Sequence, residues 1–156
     1  MDTHNTQLEF SLPSDAWEPA EPPEGTLFLI QRRGDFDRFR PNITASIAEL
    51  RPEALITDAA DALANRLRRF DDDVRVVNRE QSTDDDPTVI QLLAFTVAID
   101  NASVELAQFQ TLVEMQEING PRRWALCLAM TSEADRIMGY AEDYQALLTS
   151  VRPATG

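Results

Sequence analysis

Lysine is absent from this 156-residue chain, and all 14 of its basic residues are arginine. That absence removes Schiff-base chemistry, a lysine general base and the phosphate-binding loop whose lysine reaches the phosphates. Cysteine occurs once, at Cys127, which excludes an intrachain disulfide and a cysteine-rich metal site. The one histidine, His4, stands in a polar N-terminal stretch. A Ser-His-Asp or Cys-His unit would have to recruit that stretch. Long apolar runs are missing too, since none approaches the ~18 residues of a membrane span. Met1–Gln7 carries neither the basic region nor the apolar region of a secretory signal, so a cytoplasmic location is expected.

What is abundant is acid. The chain holds 27 acidic residues and a net charge of −13. Such a surface repels phosphate backbones and anionic membranes, so nucleic acid is not an expected partner. Its simplest consequence is solubility. Apolar content of 43% is ordinary for a globular domain. A chain of this length buries roughly 68–70% of its unfolded surface, enough for a core without cross-links.

The hydrophobic pattern divides the chain into a tail over Met1–Thr6, one domain over Gln7–Arg152 and a short tail over 153–156. Alternation predicts strands over Gln7–Leu12, Leu27–Arg32, Phe39–Leu50 and Val74–Glu80. The proline-rich segment Ser14–Thr26 reads as a loop anchored by Trp17. Within Phe39–Leu50, Ile43, Ala45 and Ile47 share one face, while Asn42, Thr44, Ser46 and Ala48 form a more polar one. Thr57–Phe70 is a predicted helix with Thr57 as its cap and Ala60, Leu63, Ala64 and Leu67 as its core stripe.

The C-terminal half holds the densest pattern, three long strands in succession. The first, ending at Ile99, is apolar on both faces apart from Gln91, which predicts a central strand covered on both sides. Asp100-Asn101 supplies a tight turn. Ser103–Met115 follows, then a turn at Asn119-Gly120-Pro121 and a strand over Arg123–Thr131. Ser132, with Asp135 three residues on, reads as the cap of a last helix bearing Ile137, Tyr140, Ala141, Tyr144, Leu148 and Val151. The expected class is α+β: a largely antiparallel β-sheet with helices packed on it.

Several stretches resemble a known family. Phe10-Ser11-Leu12-Pro13-Ser14-Asp15-Ala16-Trp17 is similar to its opening. Phe39-Arg40-Pro41-Asn42-Ile43-Thr44 resembles its "F-x-P-N-I" strand, and Arg123–Thr131 with the helix ending Tyr144–Val151 resembles its close. The family is the Mog1/PsbP-like domain, in particular its actinobacterial LpqN/LpqT-type branch. The all-arginine basic set, with alanine-rich helices, fits GC-rich coding of that kind. The resemblance covers about Leu8 to Arg152. It implies an α-β-α sandwich, no catalytic residues, no cofactor, and a role as a binding or accessory module. Members serve as a nuclear-transport factor, a photosystem subunit, mycobacterial lipoproteins and chaperones of secreted effectors. The lipoprotein branch carries an export signal and a lipid-bearing cysteine near its start; this sequence has neither.

The resulting expectation is a non-enzymatic module that binds a protein or peptide, as a chaperone or adaptor for a secreted protein, with a homodimer compatible. The alternative is a lipid or small-ligand carrier with a pocket between sheet and helix. Candidate partner contacts are Trp17 and Phe36, if exposed on their loops, and Arg32, Arg33, Arg38 and Arg40, which crowd one turn. Gln91, Gln108 and Gln110 join them because they interrupt apolar strand faces and would line a groove. The acidic runs Asp71–Asp73 and Asp84–Asp86 lack the staggered ligands and glycine of a calcium loop. Glu105 and Glu114 fall on different predicted faces, so no glycosidase-like carboxylate pair forms.

Overall fold

A computed structural model describes residues 8–69, 71–82 and 87–153. The expected tail over Met1–Thr6, the acidic run Asp84–Asp86, Phe70 and residues 154–156 lie outside the described residues. The elements are β1 (Leu8–Glu9), β2 (Trp17–Ala20), β3 (Phe28–Arg32), β4 (Asn42–Leu50), α1 (Ile56–Leu67), β5 (Arg75–Ser82), β6 (Thr88–Ile99), β7 (Ala102–Gln116), β8 (Arg123–Glu133), a 3₁₀ turn (Ile137–Tyr140), α2 (Ala141–Ser150) and β9 (Arg152–Pro153).

Seven strands form one sheet in the order β2-β3-β4-β8-β7-β6-β5, with every pairing antiparallel. The two-residue strands β1 and β9 pair with each other. Strands β6, β7 and β8 are a meander closed by tight turns. Asp100 and Asn101 take left-handed φ values of 50° and 65°, and Ile99 pairs with Ala102 across them. Asp and Asn tolerate that conformation better than other side chains, which explains why they fill a two-residue hairpin loop. In the second turn a side chain at Gly120 would meet the Glu117 carboxylate, which would have to swing aside.

Alternation along β8 sorts the core into two layers. Leu126, Leu128 and Met130 face Ile30, Ile43, Trp17 and the α2 residues Tyr144 and Leu147. Ala125 and Cys127 face the other way, toward Leu112, Val89 and the α1 residues Ile56 and Ala60. That second layer continues through Ala64, Leu93, Phe95 and Leu106. One helix therefore covers each side of the sheet, and the architecture is an α-β-α sandwich.

Local expectations differ at five places. The central strand is β8, not β6: β6 lies next to the edge strand β5, and its Ile90 is 40% exposed on the α2 side. Its second apolar face is only half covered. Trp17–Ala20 is a strand rather than a loop; Pro19 is tolerated because β2 is an edge, where a missing N–H costs little. The expected strand Gln7–Leu12 contracts to β1 among the described residues. Helix α1 begins after Leu55, not at Thr57. The Leu55 N–H donates to the Asp58 carboxylate (2.8 Å), and the Arg123 guanidinium holds the carbonyls of Arg51, Pro52 and Ala54 just before it. Finally, Ser132 is no cap. It is fully buried in β8 opposite Ala107, and the chain makes a 3₁₀ turn before α2 starts at Ala141.

A buried hydroxyl pair joins α2 to the sheet. Tyr144 donates to the Leu128 carbonyl (2.9 Å) and its oxygen lies 2.8 Å from the Thr111 hydroxyl. Tyr144→Phe is expected to destabilise the fold by about 1–3 kcal/mol because it strands the Thr111 hydroxyl in the core. Adding Thr111→Val should restore part of the loss. Urea denaturation of the two variants checks this.

Candidate functional site

The arginine-rich turn is built for structure. Arg32 donates to the Asp143 carboxylate (3.1 Å), which also accepts the Trp17 indole N–H (2.9 Å). The Arg32 guanidinium lies against the rings of Trp17 and Tyr140, 5.7 and 5.3 Å from their centroids. Asp143 stands in the first turn of α2, where the helix dipole favours a carboxylate. Trp17 is fully buried, so it anchors β2 to α2 and has no surface left for a partner. Arg33 pairs with Glu18 (3.1 Å). Arg40 donates to the carbonyls of Arg32 and Gly34 (both 2.7 Å) and lies over the half-buried Phe36 ring (5.3 Å). Arg38 stays exposed beside Asp35, Asp37, Glu133 and Asp135. The structure therefore gathers these arginines around one turn but surrounds them with acceptors, and no continuous basic patch results.

The glutamines do converge, beneath α1. Arg79 donates to Gln91 (2.8 Å), Gln91 to Gln110 (2.6 Å), Gln110 to Gln108 (2.6 Å) and Gln108 to Thr131 (2.7 Å). Gln91 also donates to the Ala60 carbonyl of α1 (3.1 Å), and Arg79 reaches Asp61 on the same helix (2.9 Å). Gln91 and Gln110 are 1% and 2% exposed. They do not line a groove, because their hydrogen-bonding capacity is consumed between strand and helix.

The open space lies beside this chain of amides. Between α1 and β4 runs a groove of about 920 Å³. Its floor is the α1-side face of β4 and β8, where Ser46 pairs with Cys127 and Ala48 with Ala125. One wall is α1, through Ala59, Ala62 and Leu63; the other is the turn at Glu24, Gly25 and Thr26. The cavity exists because these side chains are small. The sequence carried the signal in the more polar face of Asn42–Ala48 and in the alternation of Ala125, Cys127 and Ala129, but nothing local said that α1 would reach Ala125 and Cys127 and leave Ala48 exposed. The rim carries four carboxylates, Glu24, Glu49, Glu53 and Asp58, and two guanidiniums, Arg51 and Arg66. Glu49 pairs with Arg122 at 2.7 Å.

Reactive groups near the groove are few. Burial pushes the Cys127 thiol up to about 12, with Arg66 pulling weakly the other way, so the thiol stays protonated and is a poor nucleophile near neutrality. Among the described residues no three His, Cys, Asp or Glu side chains cluster as metal ligands. In the run Asp71–Asp73, Asp71 accepts the N–H groups of Asp73 (2.9 Å) and Thr96 (2.8 Å), which lower its pKa. That carboxylate ties a turn to β6. No helix is long and apolar enough to cross a membrane among the described residues.

Two expected outcomes follow from these contacts. Gln110→Leu should destabilise the fold by about 1–3 kcal/mol, and more than Gln108→Leu, because Gln108 is only half-buried and water can replace its partner. Urea midpoints rank the pair. For Cys127, the folded thiol holds its proton to a higher pH than the open chain does. The stability it contributes is full below the unfolded value near 9.0 and is lost as pH rises toward about 12. Cys127→Ala should therefore flatten the alkaline decline of the urea midpoint, leaving the part due to Tyr144, whose pKa burial also raises.

No family model matches the sequence, and no curated protein matches it. Solved structures do match the fold. LpqN of Mycobacterium tuberculosis, a protein involved in cell envelope biogenesis, aligns over 98% of this chain and 87% of its own, with a TM-score of 0.67 and 12% identity. A Pseudomonas aeruginosa protein of unknown function aligns over 90% and 99%, with a TM-score of 0.59 and 11% identity. Cyanobacterial PsbP from Synechocystis aligns over 97% and 95%, with a TM-score of 0.57 and 11% identity. The expected architecture is thereby confirmed: this chain has the Mog1/PsbP-like fold shared by LpqN and cyanobacterial PsbP.

Proposed function

We propose that this chain is a non-enzymatic accessory module and that the groove between α1 and β4 receives a protein partner. The observation that carries this reading is the combination of about 920 Å³ of open space with a floor of small side chains and a single, protonated thiol. Binding sites in proteins run to roughly 300–1,000 Å³, so the groove is large enough to seat a ligand or a partner segment. LpqN, which has the same fold, is involved in cell envelope biogenesis, and an accessory role is in keeping with that. The finer form of the reading is a chaperone or adaptor for a secreted protein.

A second reading uses the same space. An apolar floor between helix and sheet also suits a lipid or small-ligand carrier. One pair of substitutions separates the two. Ala48 and Ala62 are exposed, so Ala48→Trp or Ala62→Trp fills the groove without disturbing the core. Wild-type protein should capture one partner at stoichiometric yield from cells of its source, identified by mass spectrometry, and either variant should capture about tenfold less. Equal capture by both variants would overturn the groove. A bound small molecule in native mass spectra, lost in the variants, would replace the protein partner with the carrier reading.

A further inference from the structure

Strand β5 is the long open edge of the sheet. It is hydrogen-bonded to β6 on one side, and no strand among the described residues pairs with its other side. Its residues, Arg75–Ser82, extend about 27 Å at roughly 3.4 Å per residue. All but Arg79 are exposed, Val76 and Val77 among them at 42% and 59%. An unpaired edge of this length recruits a further strand unless something blunts it. The opposite edge, β2, is short and is blunted by Pro19, which has no N–H to offer.

A bulge in β5 makes this edge complementary to itself. A two-fold axis that pairs a strand with its own copy keeps every residue on its own face of the sheet. In a regular strand, residues an odd number apart point to opposite faces, so such an axis cannot set them against each other. The register of β5 on β6 shifts between Val76 and Asn78, which leaves Val77 as the extra residue. Arg75 pairs with Ala94 and Glu80 with Ile90, and those two partners lie on one face of β6. Arg75 and Glu80 therefore share a face and a hydrogen-bonding phase. Val76, opposite Leu93, and Arg79, opposite Gln91, share the other face in the same way. With the axis between Val77 and Asn78, Arg75 of each copy meets Glu80 of the other, and Val76 lies along the aliphatic stem of Arg79. The two Val77 side chains become diagonal neighbours across the axis. Charge favours the same edge. β5 carries Arg75 and Arg79 against one carboxylate, Glu80, in a chain of net charge −13. A locally positive edge lowers the repulsion that two such acidic chains feel elsewhere on their surfaces.

We infer that two copies of this chain associate through β5, antiparallel about a two-fold axis, so that their sheets run on as one. The interface is isologous, with Arg75 and Glu80 paired across it twice. One strand pairing buries less surface than a permanent dimer needs, so the association is reversible, with a Kd in the micromolar range. No β5 residue lines the groove between α1 and β4, so the groove stays open on both copies, and the inference does not depend on what the groove binds.

The test uses the whole chain in about 0.15 M salt, where a Debye length of about 8 Å damps the long-range repulsion. Sedimentation velocity at concentrations from about 1 to 500 µM should show a monomer passing reversibly into a dimer. Amide exchange over Val76–Gln81 should slow as concentration rises, with β2 unchanged. Arg75→Glu or Glu80→Arg alone sets like charges against each other twice and should weaken the dimer at least about tenfold. An equimolar mixture of the two variants should form a heterodimer about as tight as the wild-type dimer, because one copy then carries both carboxylates and the other both guanidiniums. Arg75 also neighbours Asp71, so if Arg75→Glu lowers the melting temperature, Glu80→Arg carries the charge test. A wild-type chain that stays monomeric throughout overturns the inference, as does a dimer that slows exchange on β2 rather than β5. A dimer indifferent to Glu80→Arg, or a mixture of folded variants no tighter than either alone, overturns the pairing of Arg75 with Glu80.

Discussion

The side-chain amide of Gln91 decides where α1 sits. It is buried between sheet and helix, and its nitrogen divides its two hydrogens between Gln110 and the Ala60 carbonyl. A buried amide left without partners is costly, so α1 cannot slide along the sheet without stranding it. Arg79 reinforces the lock by bonding to Gln91 and to Asp61 on the helix at once. With α1 fixed over β6 and β7 and its Ile56 and Ala60 against Ala125 and Cys127 of β8, the part of that face over Ser46 and Ala48 of β4 is left open. The groove is thus a by-product of a polar constraint as much as of the small side chains on its floor.

The opposite layer is held by a different device. There, Asp143 at the start of α2 receives both the Trp17 indole and the Arg32 guanidinium, with Tyr140 against the same cation. This gathers the short edge strand β2, its neighbour β3 and the last helix into one unit. It also absorbs charge that would otherwise show on the surface. The two layers therefore differ in character. One is closed by a charged aromatic cluster, the other by an amide chain that leaves room beside it.

Much of this was legible in the sequence where the determinants are local. The alternation of β6 to β8 and the Asp100-Asn101 turn announce a meander, and the stripe Ala60, Leu63, Ala64, Leu67 announces α1. Strand order is not local, which is why the doubly apolar β6 was read as central although β8, paired with both β4 and β7, holds that place. Pro19 argued against a strand that an edge position permits. Ser132 had the look of a cap, yet pairing with β7 extends β8 through it. The arginines looked like a surface patch because their acceptors, Glu18 and Asp143 among them, are distant in sequence. Gln91, Gln108 and Gln110 interrupt apolar faces; Gln108 and Gln110 are neighbours on one face of β7, but that Gln91 meets Gln110 follows only from the register of β6 on β7.

The floor of the groove is also a seam in the order of folding. Strands β6, β7 and β8 pair through short turns, and contacts so close in sequence form early because little loop entropy opposes them. The pairing of β4 with β8 joins segments from opposite halves of the chain and closes a far longer loop, which makes it slower to form. Ser46 and Ala48 lie on the late side of that seam, Ala125 and Cys127 on the early side. Anything that grips the floor therefore clamps the two halves of the sheet together and stabilises the folded chain by mass action.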